Sequence, residues 1–236
     1  YIDRRGLPGP DPALLRGLGL RRTLGELTGA GVLTLYDGGS DPVWSVAAGN
    51  HVVAAYYRNG AIHHLVNRAI VELSMLAASR GSLGAADGAV EGDALFGASQ
   101  AEALRIRDLL KFEFFFPPKE PFLHLLGAEL DLLNPEWRTI EPSVEWARTT
   151  LAAHAGSLVA RRTLQPFLDA QLVVAELLVA LGEEVPERDA FLESCLGYGR
   201  QLALQGRVKA RDSVSRELYT AALDLAANRT LVEPGE

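Results

Sequence analysis

The sequence predicts a mainly α-helical fold, a helical bundle that carries small β-hairpin wings. Leu and Ala dominate the chain and only 7% of its 236 residues are aromatic, a composition that favours helices over sheets. Several long segments repeat apolar residues at spacings of three and four, as amphipathic helices do. One Gly-rich turn lies between two short apolar stretches, which is typical of a hairpin. At this length the chain can form one large domain or two small ones.

Charge and cysteine content limit the function classes. The formal net charge of −7 argues against a protein that binds the phosphates of nucleic acids. The single cysteine, Cys195, excludes internal disulfides and a Cys-based zinc site, and it fits a reducing compartment. No uninterrupted apolar run reaches about 18 residues, so we predict neither a membrane-spanning helix nor a signal peptide. Because the chain begins with Tyr1 rather than Met, we expect a fragment or a processed piece.

The first predicted unit is a helix followed by a hairpin. Asp11 and Pro12 form a good helix start, and the helix runs to Leu27 before the "TGAG" segment ends it. The stretches 32–36 and 43–47 then read as two strands around the turn "DGGSD". A helix followed by a two-stranded wing resembles the end of a winged-helix unit.

Residues 51–73 predict a long helix that is central in its domain, because apolar residues cover most of its circumference. Gly60 in its interior costs about 1 kcal/mol relative to Ala, so we expect another element to pack closely there. Its predicted core-facing stripe consists of Val52, Tyr56, Asn59, His63, Val66, Ile70, Leu73 and Ala77.

The Gly-, Ala- and Asp-rich residues 78–99 lack periodicity and predict a linker. We therefore predict a winged-helix-like unit at 1–78, a flexible linker at 79–99 and a second, mostly helical unit at 100–236. Ser99 and Glu102 match a capping box that opens the next helix, and Pro117 with Pro118 stops it.

From Pro121 onward the order of elements is similar to that of the first unit, which predicts an internal duplication. A helix, a Gly and two short apolar stretches precede a long Ala-rich helical region, which Pro166 should kink or divide. In the tail, Gly206 should end one helix, and Asp212 or Ser213 should cap the last one.

No complete catalytic or metal-binding motif is present. The five histidines, His51, His63, His64, His124 and His154, contain no pair at metalloprotease spacing. His63 and His64 are adjacent, so a helix should point them about 100° apart, which is too far for them to chelate one ion together. Cys195 has no histidine near it in sequence and is best explained by helix packing. We therefore predict no metal and no cofactor.

One polar cluster on the central helix is the candidate site: Tyr57, Arg58, Asn59 and His63. Arg58 could bind a phosphate or a carboxylate through two donors. Alternatively, the cluster consists of buried polar groups that hold the helix against an adjoining domain, which we favour because burial demands hydrogen-bond partners.

Five phenylalanines crowd the segment "KFEFFFPPKEPF", residues 111–122. They can pack in the core, contact another domain or subunit, or enter a membrane interface. Because Lys111 and Lys119 are its only cations, we favour core or interdomain packing.

Most of residues 20 to 125 resembles the region beyond the catalytic domain in bacterial glycerol-3-phosphate 1-O-acyltransferases, especially the actinobacterial type. The resemblance rests on Gly31-Val32-Leu33, on Trp44 and Val46, on "YYRN" with His63, and on "LLKFEFFFPPKEPF". It implies an acyltransferase that acylates glycerol 3-phosphate from coenzyme A or carrier-protein thioesters in phospholipid synthesis.

The family's catalytic His-x-x-x-x-Asp motif is absent at all five histidines, so the resemblance implies a non-catalytic C-terminal accessory region. Tyr57, Arg58, Asn59 and His63 would then clamp it to the catalytic acyltransferase domain of the same protein. A homodimer contact, a membrane surface and a peripheral location at the cytoplasmic face of the cell membrane are further expectations.

Two other function classes stay open. The helix-plus-wing pattern also suits a winged-helix-like regulatory or protein-interaction module, although the wing lacks Lys and Arg. A stand-alone helical enzyme would need an unfamiliar site around Arg58, Asn59 and His63.

Overall fold

The computed structural model describes residues 17–47, 49–81, 93–155, 158–182 and 186–232, and confirms a mainly α-helical fold with a small hairpin. The helices are α1 (Gly17–Gly29), α2 (His51–Gly81), α3 (Asp93–Leu109), α4 (Lys119–Leu133), α5 (Val144–Ala153), α6 (Ala160–Leu181), α7 (Arg188–Leu204) and α8 (Arg216–Asn228). The strands are β1 (Leu33–Tyr36) and β2 (Val43–Val46), and a 3₁₀ turn spans Arg211–Ser213.

The predicted hairpin is confirmed. Strands β1 and β2 pair antiparallel, with Leu33 opposite Val46 and Tyr36 opposite Val43. Gly31 adopts φ +74°, a conformation that favours glycine, directly after α1. The Asn50 side-chain amide donates a hydrogen bond to the Gly31 carbonyl, which links the hairpin's entry to the start of α2. The predicted helix start at Asp11 and Pro12 lies outside the described residues.

The chain forms two compact units, Tyr1–Ala61 and Ile62–Glu236. The division falls within α2, and not in the predicted linker. Residues 82–92 of that linker lie outside the described part of the chain, so the linker stays a prediction.

The second unit contains two clusters of buried side chains. One includes Ile70, Leu110 and Phe122, which are fully buried. The other includes Phe191 and Tyr219, and it forms where α6, α7 and α8 pack on one another. Burial of these large apolar side chains is the main stabilising contribution to this unit.

The predicted capping box at Ser99 is wrong. Helix α3 begins at Asp93, so Ser99 lies inside the helix, where its hydroxyl donates to the Ser74 hydroxyl at 3.2 Å. Ser99 thus contacts another helix, α2, and does not cap its own helix. The same helix ends at Leu109, well before Pro117.

The two short apolar stretches of the predicted duplication form no strands in the described part of the chain, where β1 and β2 make up the sheet. The long Ala-rich region is divided, but the break lies between α5 and α6 and not at Pro166. Pro166 lies inside α6, near its start. Because proline has no backbone N–H, the helix lacks one hydrogen bond to a carbonyl of its first turn.

The predicted end of α7 is confirmed. Gly206 has φ +69°, its amide donates to the Ala203 carbonyl, and the Arg207 amide donates to the Leu202 carbonyl. This double hydrogen bond is the Schellman arrangement that glycine favours. The predicted caps of the last helix are wrong: Asp212 and Ser213 lie in the 3₁₀ turn, and the side chain of Ser215 caps α8.

Helix α6 differs from the expectation that no helix is apolar enough to cross a membrane. By length and composition, Arg162–Leu181 meets that criterion, with a mean hydropathy of 1.6. Core helices have the same length and composition, and α6 packs against α7 and α8. It also carries Asp169, which is 4% exposed and hydrogen-bonded.

Candidate functional site

The predicted polar cluster lies on α2. Tyr57, Arg58 and Asn59 are helical residues whose side chains lie outside the described part of the structure. His63 is exposed, and its ring centroid lies 3.8 Å from that of His64, with the ring planes tilted by 44°. The interdomain clamp therefore stays a prediction, and its described member presents an accessible imidazole.

The predicted core-facing stripe of α2 is correct only in its second half. Val66 and Ile70 are buried, whereas Tyr56 is 77% exposed and His63 is also exposed. Tyr56 precedes the core, which begins on this helix at Ile62, and His63 points about 100° away from Ile62 around the helix. A Cβ atom added at Gly60 would have no described atom within 4 Å, so the expected close packing is absent from the described structure there.

A buried ion pair on α2 was missed by the sequence analysis. The Arg68 Nε donates to Glu72 Oε1 at 2.7 Å, and both side chains are about 95% buried. The second carboxylate oxygen of Glu72 accepts from the Val159 and Ala160 amides at 2.9 and 2.8 Å. Glu72 therefore binds the first amides of α6, where an anion is favoured by the helix dipole.

A second buried carboxylate has the same role at the other end of the unit. Asp169 Oδ2 accepts from the amides of Lys209 and Ala210 at 2.8 and 2.9 Å, and Oδ1 accepts from the Gln165 side chain at 2.6 Å. It fixes the segment that leads into α8. The sequence signal for both carboxylates was a charged residue between two apolar neighbours, at 71 and 73 for Glu72 and at 168 and 170 for Asp169.

The Phe-rich segment is split between core and surface. Phe114, Phe116 and Phe122 pack edge to face with one another or with Phe167. Phe115 is fully exposed and Phe112 is half exposed. The expected core packing thus holds for three of the five rings.

Arg107 and Glu113 define the chemistry of this segment. Arg107 Nη2 donates to the Pro117 carbonyl at 2.8 Å, and its guanidinium lies 5.6 Å from the centre of the Phe122 ring. The segment is thereby held in place between α3 and α4. Partial burial raises the pKa of Glu113 to about 7, so this carboxyl titrates near neutral pH.

Cys195 has the predicted packing role. It is fully buried in α7, and burial raises the pKa of its thiol to about 12, so it is not a thiolate at neutral pH. In the described part of the chain, no three His, Cys, Asp or Glu side chains are grouped to hold a metal ion. What these residues define is a helical packing module whose buried polar groups position its own helices.

The comparison with protein families identifies the class. The family model of the glycerol-3-phosphate acyltransferase C-terminal region matches residues 1–235. The chain belongs to this family, which agrees with the resemblance seen in residues 20 to 125 and extends it to nearly the full length.

Curated relatives give the same result. The chain is 38% identical over 214 residues to proteins named "Putative acyltransferase plsB1" from Mycobacterium tuberculosis and Mycobacterium bovis. The match covers 91% of this chain and 33% of each relative, so the chain spans about a third of their length. No solved structure matches it.

Proposed function

We propose that this chain is the non-catalytic accessory region of a glycerol-3-phosphate 1-O-acyltransferase. The parent enzyme would transfer an acyl group from acyl-coenzyme A or acyl carrier protein to glycerol 3-phosphate in phospholipid synthesis. The observation that carries the proposal is the match of residues 1–235 to the family's C-terminal region. The absence of a His-x-x-x-x-Asp motif from the sequence supports an accessory role, because the family's base is not supplied here.

The proposed contact with the acyltransferase domain is the polar cluster of α2, which consists of Tyr57, Arg58, Asn59 and His63. The exposure of Tyr56 and His63 supports this proposal, since both residues are accessible on a helix that is buried further along. Interfaces are enriched in Tyr and Arg, which combine apolar area with donors. The partner would be the catalytic domain of the same protein, and a homodimer is a further proposal.

Glycerol-3-phosphate-dependent thiol release from palmitoyl-coenzyme A tests this function. The 236-residue chain alone should release no thiol, whereas the full-length Mycobacterium tuberculosis relative should. A chimera in which this chain replaces the matching third of that relative should regain activity. Turnover by the chain alone, or full activity of the relative without its matching third, would contradict the proposal.

A matched pair of variants tests the clamp in the same chimera. His63→Ala should lower activity by weakening the contact between the regions, while exposed Gln201→Ala on α7 should leave it unchanged. Both variants should retain the stability of the unmodified 236-residue chain. Equal activity of the two chimeras would exclude His63 from the contact.

We also propose peripheral attachment at the cytoplasmic face of the membrane through the exposed rings of Phe112 and Phe115. Their exposure beside Lys111 supports this, because aromatic rings and cations favour the membrane interface. Flotation with anionic lipid vesicles tests it. Phe115→Ser should lower the bound fraction, and Leu204→Ser, which alters another highly exposed apolar residue, should not.

A further inference from the structure

An apolar groove of about 470 Å³ lies between α6 and α8. Its floor is buried and includes Val174, Ala222 and Leu225, whereas Val179 at its edge is 83% exposed. Small side chains at Ala175 and Ala222 give the groove its depth. Its volume is within the range of about 300 to 1,000 Å³ that is typical of small-molecule sites.

The polar residues of this groove, hereafter the α6–α8 groove, are one cation and one amide. Arg229 and Gln171 line it together with apolar residues, and none of the lining residues that the structure describes is acidic. Arg229 is exposed, and the described residues offer its guanidinium neither an ion pair nor a hydrogen bond. Lys111 adds a second cation close by, since its ammonium contacts the side chain of Asn228.

We propose that the α6–α8 groove binds a single-chain anionic lipid. The acyl chain lies along the apolar floor, and the carboxylate or phosphate head group pairs with Arg229. An apolar floor with a cation at its edge matches the two ends of such a molecule. The inference goes beyond the accessory role, and it holds whether or not the chain supports an acyltransferase.

A capping role for Arg229 and a protein partner both fit the α6–α8 groove less well than a lipid does. Arg229 follows the last turn of α8, where a cation is favoured by the helix dipole, but this does not account for an open apolar groove beside it. A protein partner would need about 800 Å² on each side, so the groove could form only a part of such an interface. A lipid chain also accounts for the exposed apolar side chain of Val179 at the edge of the groove.

Fluorescence of cis-parinaric acid, measured below its aggregation concentration, tests binding to the 236-residue chain. Ala175→Phe fills the groove from an exposed position and should weaken binding about tenfold, since the ring would keep about two methylenes of the acyl chain out of the groove. Ala180→Phe is the matched control, because Ala180 is exposed on the same helix but does not line the groove. It should bind as the unmodified chain does.

Displacement tests the role of the charge. Arg229→Gln should raise the inhibition constants of palmitate and lysophosphatidate about fivefold and leave that of hexadecanol unchanged, once each is corrected for the weaker binding of the probe, whose carboxylate also pairs with Arg229. The ratio of palmitate to lysophosphatidate binding distinguishes a carboxylate from a phosphate head group. No binding by the unmodified chain, equal binding by Ala175→Phe, or an equal effect of Arg229→Gln on palmitate and hexadecanol would overturn the proposal.

Discussion

At the scale of single residues, Glu72 is a buried carboxylate of the second unit that binds three donors. Its two oxygens bind a buried guanidinium and two amides at once. Burial of both charges is costly, so the pair stabilises the fold only as long as both partners are present.

Glu72→Ala should therefore lower the free energy of unfolding by about 3–5 kcal/mol, because it removes the acceptor of three buried donors. Asp189→Ala is the matched control, since the Asp189–Arg216 pair is exposed and its loss should cost at most about 1 kcal/mol. Urea unfolding followed by circular dichroism measures both. A similar loss in the two variants would show that the buried pair has no special role.

Gly199 is required by the position of Tyr219. A Cβ atom at Gly199 would lie 2.0 Å from the Tyr219 hydroxyl oxygen, and the tyrosine is fully buried. Gly199→Ala should thus destabilise the chain by about 1–3 kcal/mol through overpacking. Thermal unfolding should show partial recovery in the double variant with Tyr219→Phe, because the hydroxyl has no hydrogen-bond partner in the described structure to lose.

Gly197→Ala is the control for this prediction. Gly197 lies on the same helix with no described atom within 4 Å of an added Cβ, so alanine should stabilise the helix by about 0.5–1 kcal/mol. Destabilisation by Gly197→Ala would mean that α7 requires a glycine at position 197 although the described structure leaves space for a Cβ atom there.

Glu113 gives stability a defined pH dependence. Because burial raises its pKa from 4.5 to about 7, the folded state holds this proton more strongly than the unfolded state does. The resulting stabilisation is complete below pH 4.5 and is lost as the pH rises through 7. Screening of this partly buried group limits the effect to about 1 kcal/mol.

Urea midpoints at about pH 5 and about pH 8, on either side of the raised pKa, measure this dependence as a difference between variants. Glu113→Gln should gain stability relative to the unmodified chain at the higher pH and should show no such gain at the lower one. Exposed Glu120→Gln should track the unmodified chain at both values. A constant difference between Glu113→Gln and the parent would contradict the raised pKa.

At the scale of elements, the sequence correctly predicted the turns and helix ends that depend on interactions between residues close together in the chain. The hairpin between Leu33 and Val46 and the glycine end of α7 at Gly206 follow from turn chemistry within a few residues. The start of α6 does not, because Glu72 binds its first amides from 87 residues away. Ser99 matched a capping box in sequence, yet its hydroxyl contacts Ser74 on another helix.

Ser215 is the testable cap among these elements. Its hydroxyl accepts from the Leu218 amide at the start of α8, so Ser215→Ala should cost about 1 kcal/mol. Ser194→Ala, at an exposed position inside α7, should change stability by less than about 0.5 kcal/mol. Chemical denaturation measures the stability of both variants. An equal loss of stability in the two would mean that packing, and not the Ser215 cap, determines where α8 starts.

At the scale of the whole molecule, composition, apolar periodicity and one turn signal together predicted the fold class. The candidate site was less predictable, because the periodicity of α2 continues through Tyr56 and His63 although burial begins at Ile62. Periodicity indicates which residues share a helix face, and not where along the helix a neighbour is present. Only tertiary contacts decide where along the helix burial begins.

Two fragments test where the chain divides. A fragment of residues 62–236 should unfold cooperatively, since it keeps every residue of the compact second unit. A fragment that begins at residue 79 lacks Ile70, Val71 and Met75, which are buried in the core, and should not fold. Circular dichroism during urea titration measures both, and cooperative unfolding of the shorter fragment would favour the boundary predicted at 79–99.

The contact made by Glu72 also sets an order of events during protein synthesis. Arg68 and Glu72 lie one helical turn apart and can pair as soon as α2 forms, but the Val159 amide is added 87 residues later. At typical translation rates of about 5–20 residues per second, this interval lasts about 4–17 seconds. During that time the nascent chain contains Glu72 but not yet the α6 amides that Glu72 binds in the folded protein.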